Sequence, residues 1–256
     1  MRLRAGVTAA ALAVAGCASL PASDDRTAVL ERIVASSVQL RAELPGDGRR
    51  AGSGVVVASD AAAGRCWVLT TRHLLEPAKP DRIFASVPGR SVPFHVDVVA
   101  VSTDLDLSVV LVHGIAPPSV TLKDHTRLGQ DVWVVGFPWG RRLTVASGVV
   151  SQIAGNDGEA PMEGPARMVD ASVSYGASGG GVFEASTGSL VAIVEGYRTA
   201  RVALPQAPES VLHIPVPGET TLVSAAAIRR FLSTAPIPPL RRSSRRGGPP
   251  APRRRA

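Results

Sequence analysis

The sequence predicts an all-β fold of the sandwich or barrel kind. Its apolar residues occur in short runs rich in β-branched side chains, such as GVVVAS, DVWVVGF and LVAIVEG, and Gly, Pro, Asp and Ser separate these runs. Long amphipathic helices that alternate with strands, the mark of a doubly wound fold, are absent from the pattern. Apolar residues make up 45% of the chain and aromatic residues only 4%, so Val, Ala, Leu and Ile are expected to build the core.

The strand-like runs form two groups, which indicate two lobes within one domain. Segment 115–125 lies between the groups and carries two prolines, so it is predicted to cross from one lobe to the other. We therefore place the folded domain at residues 28–234, with lobes at about 28–116 and 117–234.

The C-terminal region is predicted to be a short helix followed by a disordered tail. The helix covers residues 224–232, where the Ser224 hydroxyl can accept a hydrogen bond from a free N–H of the first turn. Residues 235–256 are mostly Pro, Arg, Gly and Ser with almost no apolar content. Such a composition buries too little apolar surface to fold, so the tail is predicted to be disordered.

The positive charge of the chain is concentrated in this tail. The formal net charge is +7, and residues 235–256 contain seven Arg and no acidic residue, so residues 1–234 sum to zero. The folded part lacks the basic character typical of nucleic-acid-binding domains, and we expect no nucleic-acid partner. The tail is a candidate for contact with an anionic membrane or lipopolysaccharide surface, with a solvated free end as the alternative.

The N-terminus is typical of an export signal with lipid attachment. Two arginines precede an apolar stretch that ends at Cys17 and is too short to span a bilayer as a mature helix. The tetrapeptide VAGC that ends there resembles the lipobox of bacterial lipoproteins, with a simple secretory signal as the alternative. We predict a lipoprotein signal peptide over 1–17, lipidation of Cys17 and a membrane tether over 18–27. Ala18 replaces the Asp that often retains lipoproteins at the inner membrane, which favours the outer membrane, facing the periplasm.

Three segments carry residues suited to acyl transfer. His73 follows the run LTTR, Asp106 immediately precedes the apolar run LSVVLV, and Ser178 lies in the Gly-rich turn GASGGG. A serine hydroxyl becomes a good nucleophile when a base takes its proton, and an imidazole can do so at neutral pH. A carboxylate must orient that imidazole, for which Asp106 is the first candidate and Asp104 the second. The developing oxyanion needs two N–H groups, which Gly176 and Ser178 can supply.

Taken together, these segments resemble the chymotrypsin-like, or trypsin-type, serine peptidases, most closely the bacterial HtrA-type branch. The resemblance covers about residues 28–233 and rests on GSGVVV…LTTRH, DLSVVLV, GFPWGRRLTVASGVVS and DASVSYGASGG in this order. It implies a chymotrypsin-like fold of two six-stranded antiparallel β-barrels with a short C-terminal helix. It also implies a triad of His73, Asp106 and Ser178, because the family carries its Asp directly before the strand. Three features depart from the branch: Ala177 replaces a polar residue, Gly181 replaces a proline, and the Arg-rich tail follows in place of a PDZ-like domain.

The resemblance also implies where the primary specificity pocket lies. In this fold the residue six before the nucleophile sets the pocket floor, which is Ser172 here, followed by Val173. The far wall is predicted to come from Val194, Glu195 and Gly196. No acid stands at the floor, so we expect a preference for small or medium aliphatic side chains. Glu195 is the alternative determinant, because a carboxylate turned into the pocket would accept a basic side chain.

These observations predict a serine endopeptidase that acts on proteins or peptides, anchored to the bacterial envelope. A non-catalytic or latent binding module on the same fold is the alternative. Ala177 departs from the family in the loop at residues 172–180, which would supply the N–H groups for the oxyanion and is called the oxyanion loop below. No cofactor or metal is expected, because the histidines are scattered and Cys66 is predicted to be a buried apolar residue.

Overall fold

The protein is described here by a computed structural model, which covers residues 22–240 except 91, 157 and 205–206. Its strands form two closed six-stranded antiparallel barrels, which confirms the predicted fold class. The predicted signal peptide, Cys17 and most of the Arg-rich tail lie outside the described residues. Within the described part, none of the helices combines the length and apolar character needed to cross a bilayer.

The first barrel contains six strands in the spatial order β1-β2-β3-β6-β5-β4. The strands are β1 (Ser37–Glu43), β2 (Arg49–Asp60), β3 (Arg65–Thr70), β4 (Ile83–Ser86), β5 (Phe94–Val101) and β6 (Ser108–His113). Their inward side chains, among them Leu40, Val68 and Val110, are fully buried. Cys66 lies in the same core, and burial raises the pKa of its thiol to about 12, which keeps it protonated at neutral pH.

The second barrel has the order β11-β14-β13-β12-β8-β9, and a separate two-stranded sheet pairs β10 with β7. The elements are β7 (Thr126–Arg127), β8 (Asp131–Gly136), β9 (Thr144–Ile153), β10 (Glu163–Gly164), β11 (Ala166–Val169), β12 (Gly181–Glu184), β13 (Leu190–Leu204) and β14 (Ala207–Ser224). The C-terminal part of β13 and the N-terminal part of β14 continue their pairing from Thr199 and Pro215 to Leu204 and Ala207, as a long hairpin.

The segment 115–125 runs from one barrel to the other, as its prolines suggest. The backbone N–H of Val120 donates to the Val56 carbonyl of the first barrel, and that of Lys123 donates to the Leu190 carbonyl of the second. Side chains from both barrels form a shared apolar core that includes Leu69 and Phe183. The two barrels are therefore joined by a packed interface, which is where a site built from both must lie.

A helix at the start of the domain was not predicted from the sequence. Helix α1 (Ala22–Ala35) occupies the second part of the predicted tether and the first residues of the predicted domain. Val29 and Ile33, four residues apart on one helix face, are buried in the core between the barrels. The Arg26 guanidinium lies 4.4 Å from the Trp133 ring centre. Residues 22–27 of the predicted tether are thus helical, and the apolar residues that the barrels bury, Val29 and Ile33, lie just after them, within the predicted domain.

The C-terminal helix has the predicted place and cap. Helix α3 covers Ala225–Leu232, and the Ser224 hydroxyl accepts a hydrogen bond from the Ala227 N–H. Past this helix, the described chain continues to Leu240, and the rest of the predicted disordered tail lies outside the described residues. Ile237 and Leu240 are partly buried against the core between the barrels, so the chain remains docked to at least Leu240. Proline-separated apolar residues can cover a core without forming a helix or strand.

Candidate active site

An open cavity of about 480 Å³ lies at the junction of the two barrels. Both His73 and Ser178 line it, together with Arg50, Ala51, Leu74, Tyr175, Gly176, Glu195, Gly196 and Tyr197. A larger surface depression around Lys123 and Glu184 contains neither of the two, and its charges pair with each other at 2.6 Å. The chemistry predicted from the sequence therefore belongs to the cavity at the barrel junction.

The position of His73 is set by a short helix that follows β3. Helix α2 (Arg72–Leu75) is anchored by Leu74 and Leu75, whose side chains are buried in the first barrel. This leaves the His73 side chain 47% exposed at the cavity. The imidazole is thus held by a rigid support yet remains accessible to a substrate.

Asp106 binds His73 at two points. Its Oδ2 lies 2.5 Å from His73 Nδ1, and its Oδ1 accepts a hydrogen bond of 2.8 Å from the His73 backbone N–H. The contact arises because β3 and β6 are neighbours, with Thr70 opposite Ser108. Burial raises the pKa of Asp106, but the two hydrogen bonds from His73 outweigh it and hold the pKa below its ordinary value. The ionised carboxylate favours the tautomer with the proton on Nδ1, which leaves Nε2 free as a base.

Asp104, the alternative acid, does not contact His73. Its side chain is exposed and accepts a hydrogen bond of 2.8 Å from the neighbouring Thr103 hydroxyl. The family's placement of the acid directly before the strand therefore agrees with the geometry around His73.

Ser178 lies in the turn between β11 and β12. Its backbone carbonyl accepts a 2.8 Å hydrogen bond from the Ser53 N–H of the first barrel, and the next N–H, of Gly179, donates to Val194. Within the described residues, no hydrogen bond joins the Ser178 hydroxyl to His73 or to any other group. The serine and the histidine therefore share the cavity without being linked.

The loop before Ser178 leaves two N–H groups unused. Within the described chain, neither the Gly176 N–H nor the Ser178 N–H donates a hydrogen bond, whereas the Ala177 N–H between them donates to the Ser174 carbonyl. Gly176 has φ +91° and Gly179 has φ +80°, conformations that favour glycine. Gly176 and Ser178 both line the cavity, so their two N–H groups are available to a bound molecule, as the proposed oxyanion donors must be.

The residues predicted to form the specificity pocket are only partly brought together. Glu195 and Gly196 line the cavity, but Ser172 is exposed and Val173 packs against the second barrel's core. The side chain of Val194 is buried in that core, 1% exposed, so it does not line the cavity. Alternation along β13 explains this difference, since successive side chains point to opposite faces of a strand.

Glu195 is the second titratable carboxyl close to the histidine. Burial raises its pKa above the ordinary value, and the negative charge of Asp106 raises it further, while a hydrogen bond with Thr221 and the nearby His73 oppose the change. Its carboxyl therefore belongs to the cleft wall beside His73 and Asp106.

Sequence reasoning missed three residues around the cavity. The Arg50 guanidinium donates to the backbone carbonyls of His73 and Glu76, which ties the histidine helix to β2. Tyr175 lines the cavity, and its ring centre lies 5.5 Å from that of Trp139. The buried Ser53 contacts the loop that carries Ser178. The motif GSG at residues 52–54 points to Ser53 in the sequence, but no local pattern indicates that its hydroxyl binds the Gly176 carbonyl.

Among the described residues, no three His, Cys, Asp or Glu side chains cluster in a way that could hold a metal ion.

Comparison with known proteins identifies two relatives that are named as serine proteases. The chain is 28% identical over 201 residues to the serine protease PepD of Mycobacterium tuberculosis, covering 70% of this chain and 41% of PepD. It is 30% identical over 140 residues to the "Probable periplasmic serine endoprotease DegP-like" of Halomonas elongata, covering 53% of this chain and 27% of that protein. The chain thus spans less than half the length of either relative.

The fold is similar to solved protease structures. The active form of the M. tuberculosis Rv3671c protease superposes with a TM-score of 0.60 at 22% identity, covering 82% of this chain and 86% of that one. The sequence profile of the trypsin-like peptidase domain matches residues 52–193, which contain His73, Asp106 and Ser178 and amount to more than half of the chain. The chain therefore belongs to the trypsin-like peptidase domain family.

Proposed function

We propose that this chain is a serine endopeptidase that cleaves peptide bonds in proteins or peptides through an acyl-enzyme. The observation that carries the proposal is the bonded pair of His73 and Asp106 beside Ser178, in one cavity with the free N–H groups of Gly176 and Ser178. A base, a nucleophile and two oxyanion donors are the groups that acyl transfer needs.

In the proposed reaction, Ser178 Oγ attacks the carbonyl carbon of the scissile bond while His73 Nε2 takes the hydroxyl proton. Asp106 stabilises the imidazolium, and the N–H groups of Gly176 and Ser178 bind the oxyanion. Collapse of the tetrahedral intermediate breaks the C–N bond as His73 returns the proton to the leaving amine. Water, deprotonated by the same imidazole, then attacks the ester; the acid product leaves and the Ser178 hydroxyl is restored.

A fluorophosphonate probe tests this proposal directly. The wild type is expected to label, because only an activated serine reacts, and Ser178→Ala to remain unlabelled. Ser151→Ala, which removes an exposed serine hydroxyl on β9, is the matched control and should label like the wild type. Turnover of a peptide substrate should fall by about four to six orders of magnitude in Ser178→Ala or His73→Ala, and little further in the double variant. Hydrolysis of the same bond by Ser178→Ala would contradict the assignment.

A latent or non-catalytic binding module is the second candidate. It is favoured by the missing hydrogen bond between Ser178 and His73 in the described structure, and by the buried Ala177, which offers no polar group to the loop. A wild type that binds peptides but does not label, with and without added peptide, would support this candidate over the first.

We propose that the cleaved bond follows a small or medium aliphatic residue. Ser172 leaves the predicted pocket floor without a charge, and Glu195 lies at the cavity wall, where burial raises its pKa and so disfavours its charged form. One methylene in such a pocket is worth only about 1–3 kcal/mol, so the preference should be graded. A peptide library cut mainly after Lys or Arg by the wild type, and less so by Glu195→Gln, would contradict this and identify Glu195 as the determinant.

We further propose that the protein is held in the bacterial envelope by acylation of Cys17, at the outer membrane and facing the periplasm. The lipobox-like VAGC supports this, as does the envelope location named for the relative from Halomonas elongata. Metabolic labelling with a fatty-acid analogue should mark the wild type but not Cys17→Ser, and an unlabelled wild type would refute the anchor. The Arg-rich tail would add attraction to anionic lipids that weakens as salt rises.

A further inference from the structure

The Ser53 hydroxyl connects the two barrels at the loop that carries Ser178. Ser53 belongs to β2 of the first barrel, and only 1% of it is exposed. Its Oγ donates a 2.8 Å hydrogen bond to the Gly176 carbonyl and accepts one of 2.8 Å from the Phe137 N–H at the end of β8. The hydroxyl thus donates its single proton to the oxyanion loop and accepts a hydrogen bond at the end of β8, so both of its partners belong to the second barrel.

These bonds determine how the peptide planes of the loop are turned. Because the Gly176 carbonyl points to Ser53, the N–H of the same peptide, that of Ala177, points the opposite way, where it donates to Ser174 at 3.0 Å. One peptide earlier, the Tyr175 carbonyl accepts a 2.7 Å hydrogen bond from the Trp139 N–H. That leaves the Gly176 N–H without an acceptor, beside the cavity that Gly176 lines.

The loop has no side chain of its own to maintain this orientation. Ala177 is buried among apolar side chains of the second barrel, and among the described residues no side chain of 172–180 makes a hydrogen bond. Ser53 is the one described residue whose side chain bonds to the backbone of this loop. Without the hydroxyl, the buried Gly176 carbonyl would lack a partner, a costly state that rotation of the peptide can relieve.

We infer that Ser53 is a positioning residue. From the first barrel, its hydroxyl keeps the oxyanion loop in the orientation that leaves the Gly176 N–H without an internal acceptor, a role that no described side chain of the loop fills. The inference rests on the proposed function, since an oxyanion hole matters only if Ser178 attacks a carbonyl. It assigns Ser53 no contact with the substrate; its effect passes through the peptide between Gly176 and Ala177.

The test compares Ser53→Ala with Ser37→Ala. Ser37 is a matched control, because it is also 1% exposed and its hydroxyl also donates a 2.8 Å hydrogen bond to a backbone carbonyl, that of Ile33, away from the cavity. Loss of one direct oxyanion donor typically lowers kcat by about 10²–10³-fold, so loss of its positioning should lower kcat by about 10–100-fold with KM changed less than about twofold. Ser37→Ala should keep kcat while losing similar thermal stability.

Two further measurements separate the inference from general damage and from the proposed function. A peptide boronate, whose adduct places an oxygen in the oxyanion hole, should lose affinity in Ser53→Ala by about the same factor as kcat. Amide hydrogen exchange should quicken at Phe137 and Ala177 in Ser53→Ala but not in Ser37→Ala, and this readout does not need an active enzyme.

If the wild type is inert but exchange changes as expected, the positioning role stands and the proposed function fails. Unchanged kcat, boronate affinity and exchange in a folded Ser53→Ala would overturn the inference while leaving the peptidase proposal intact. A parallel loss of kcat in both serine variants would also overturn it, because it would show only a stability effect.

Discussion

The two halves of the candidate site are held in different ways. His73 and Asp106 both belong to the first barrel and are joined by hydrogen bonds of 2.5 and 2.8 Å. Ser178 belongs to the second barrel, and within the described residues its hydroxyl bonds to nothing, while its loop is held by contacts with Ser53. The acid–base half is therefore complete within one barrel, whereas the nucleophile half depends on how the two barrels meet.

The largest expected effect comes from a change in the acid–base half, His73 and Asp106. Asp106→Asn should lower kcat by about 10⁴-fold, because an amide no longer favours the imidazole tautomer with Nε2 free. Asp104→Asn is the matched control, since the Asp104 side chain is exposed and accepts a hydrogen bond from Thr103 rather than from His73. The kcat/KM of this variant should stay within about twofold of the wild type. Steady-state kinetics on one peptide substrate decides this, and equal losses in the two variants would contradict the assignment of Asp106.

A smaller effect is expected from distorting the loop of the nucleophile half. Gly176 has φ +91°, and an added Cβ would lie 2.8 Å from Phe137 O and from Trp139 N, so Gly176→Ala must shift the loop. We expect kcat to fall by about 10²-fold, as when an oxyanion donor is lost. Gly129→Ala is the control, with φ +76° and open space around the Cβ; it should cost about 1 kcal/mol of stability without changing kcat. Gly176→Ala with wild-type kcat would show that the loop is not the sensitive half.

The barrel junction can also be weakened without touching the site. Truncation after Thr234 removes Ile237 and Leu240 from the shared core and should lower the free energy of unfolding by about 1–2 kcal/mol. Truncation after Leu240 removes only the Arg-rich tail and should leave it unchanged. Urea unfolding of both soluble forms measures the difference. Equal stability of the two would mean that residues 235–240 do not support the junction.

The smallest expected effects are opposite changes of stability with pH in the two halves. The folded-state pKa of Asp106 lies below its ordinary 3.8, so its stabilisation is present above that value and is lost as the pH falls through the folded pKa. The folded-state pKa of Glu195 lies above its ordinary 4.5, so its ionised form destabilises the fold at neutral pH and the penalty disappears at lower pH. Asp106→Asn should therefore lower Tm at pH 7 and Glu195→Gln should raise it. The gain in Glu195→Gln should disappear as the pH falls through the raised folded-state pKa toward 4.5, whereas the loss in Asp106→Asn should shrink only below pH 3.8. Matching signs for the two variants would refute this electrostatic contrast.

Much of the fold could be predicted from the sequence because strands and turns are local features. Apolar runs such as LSVVLV, bounded by turn residues, identify strands whose closure into two barrels the structure confirms. The resemblance of the motifs around His73, Asp106 and Ser178 to the trypsin-type peptidases predicted that all three lie near one another, and the structure brings the first two into contact. Helix α1 was not predicted because its apolar face has only a few side chains and polar residues surround them. The structure shows this face because Val29 and Ile33 pack into the core between the barrels.

By itself, the sequence determined the all-β class, the motif order and the capped C-terminal helix, since each depends on residues close together in the chain. Tertiary structure decided that Val194 faces the core while Glu195 faces the cleft, because the phase of alternation along β13 is set by its pairing with β12 and β14. It also decided that Ser53 holds Gly176, a contact across 123 positions in the chain. Such a contact arises only where the two barrels meet, and no local pattern of residues encodes where that will be.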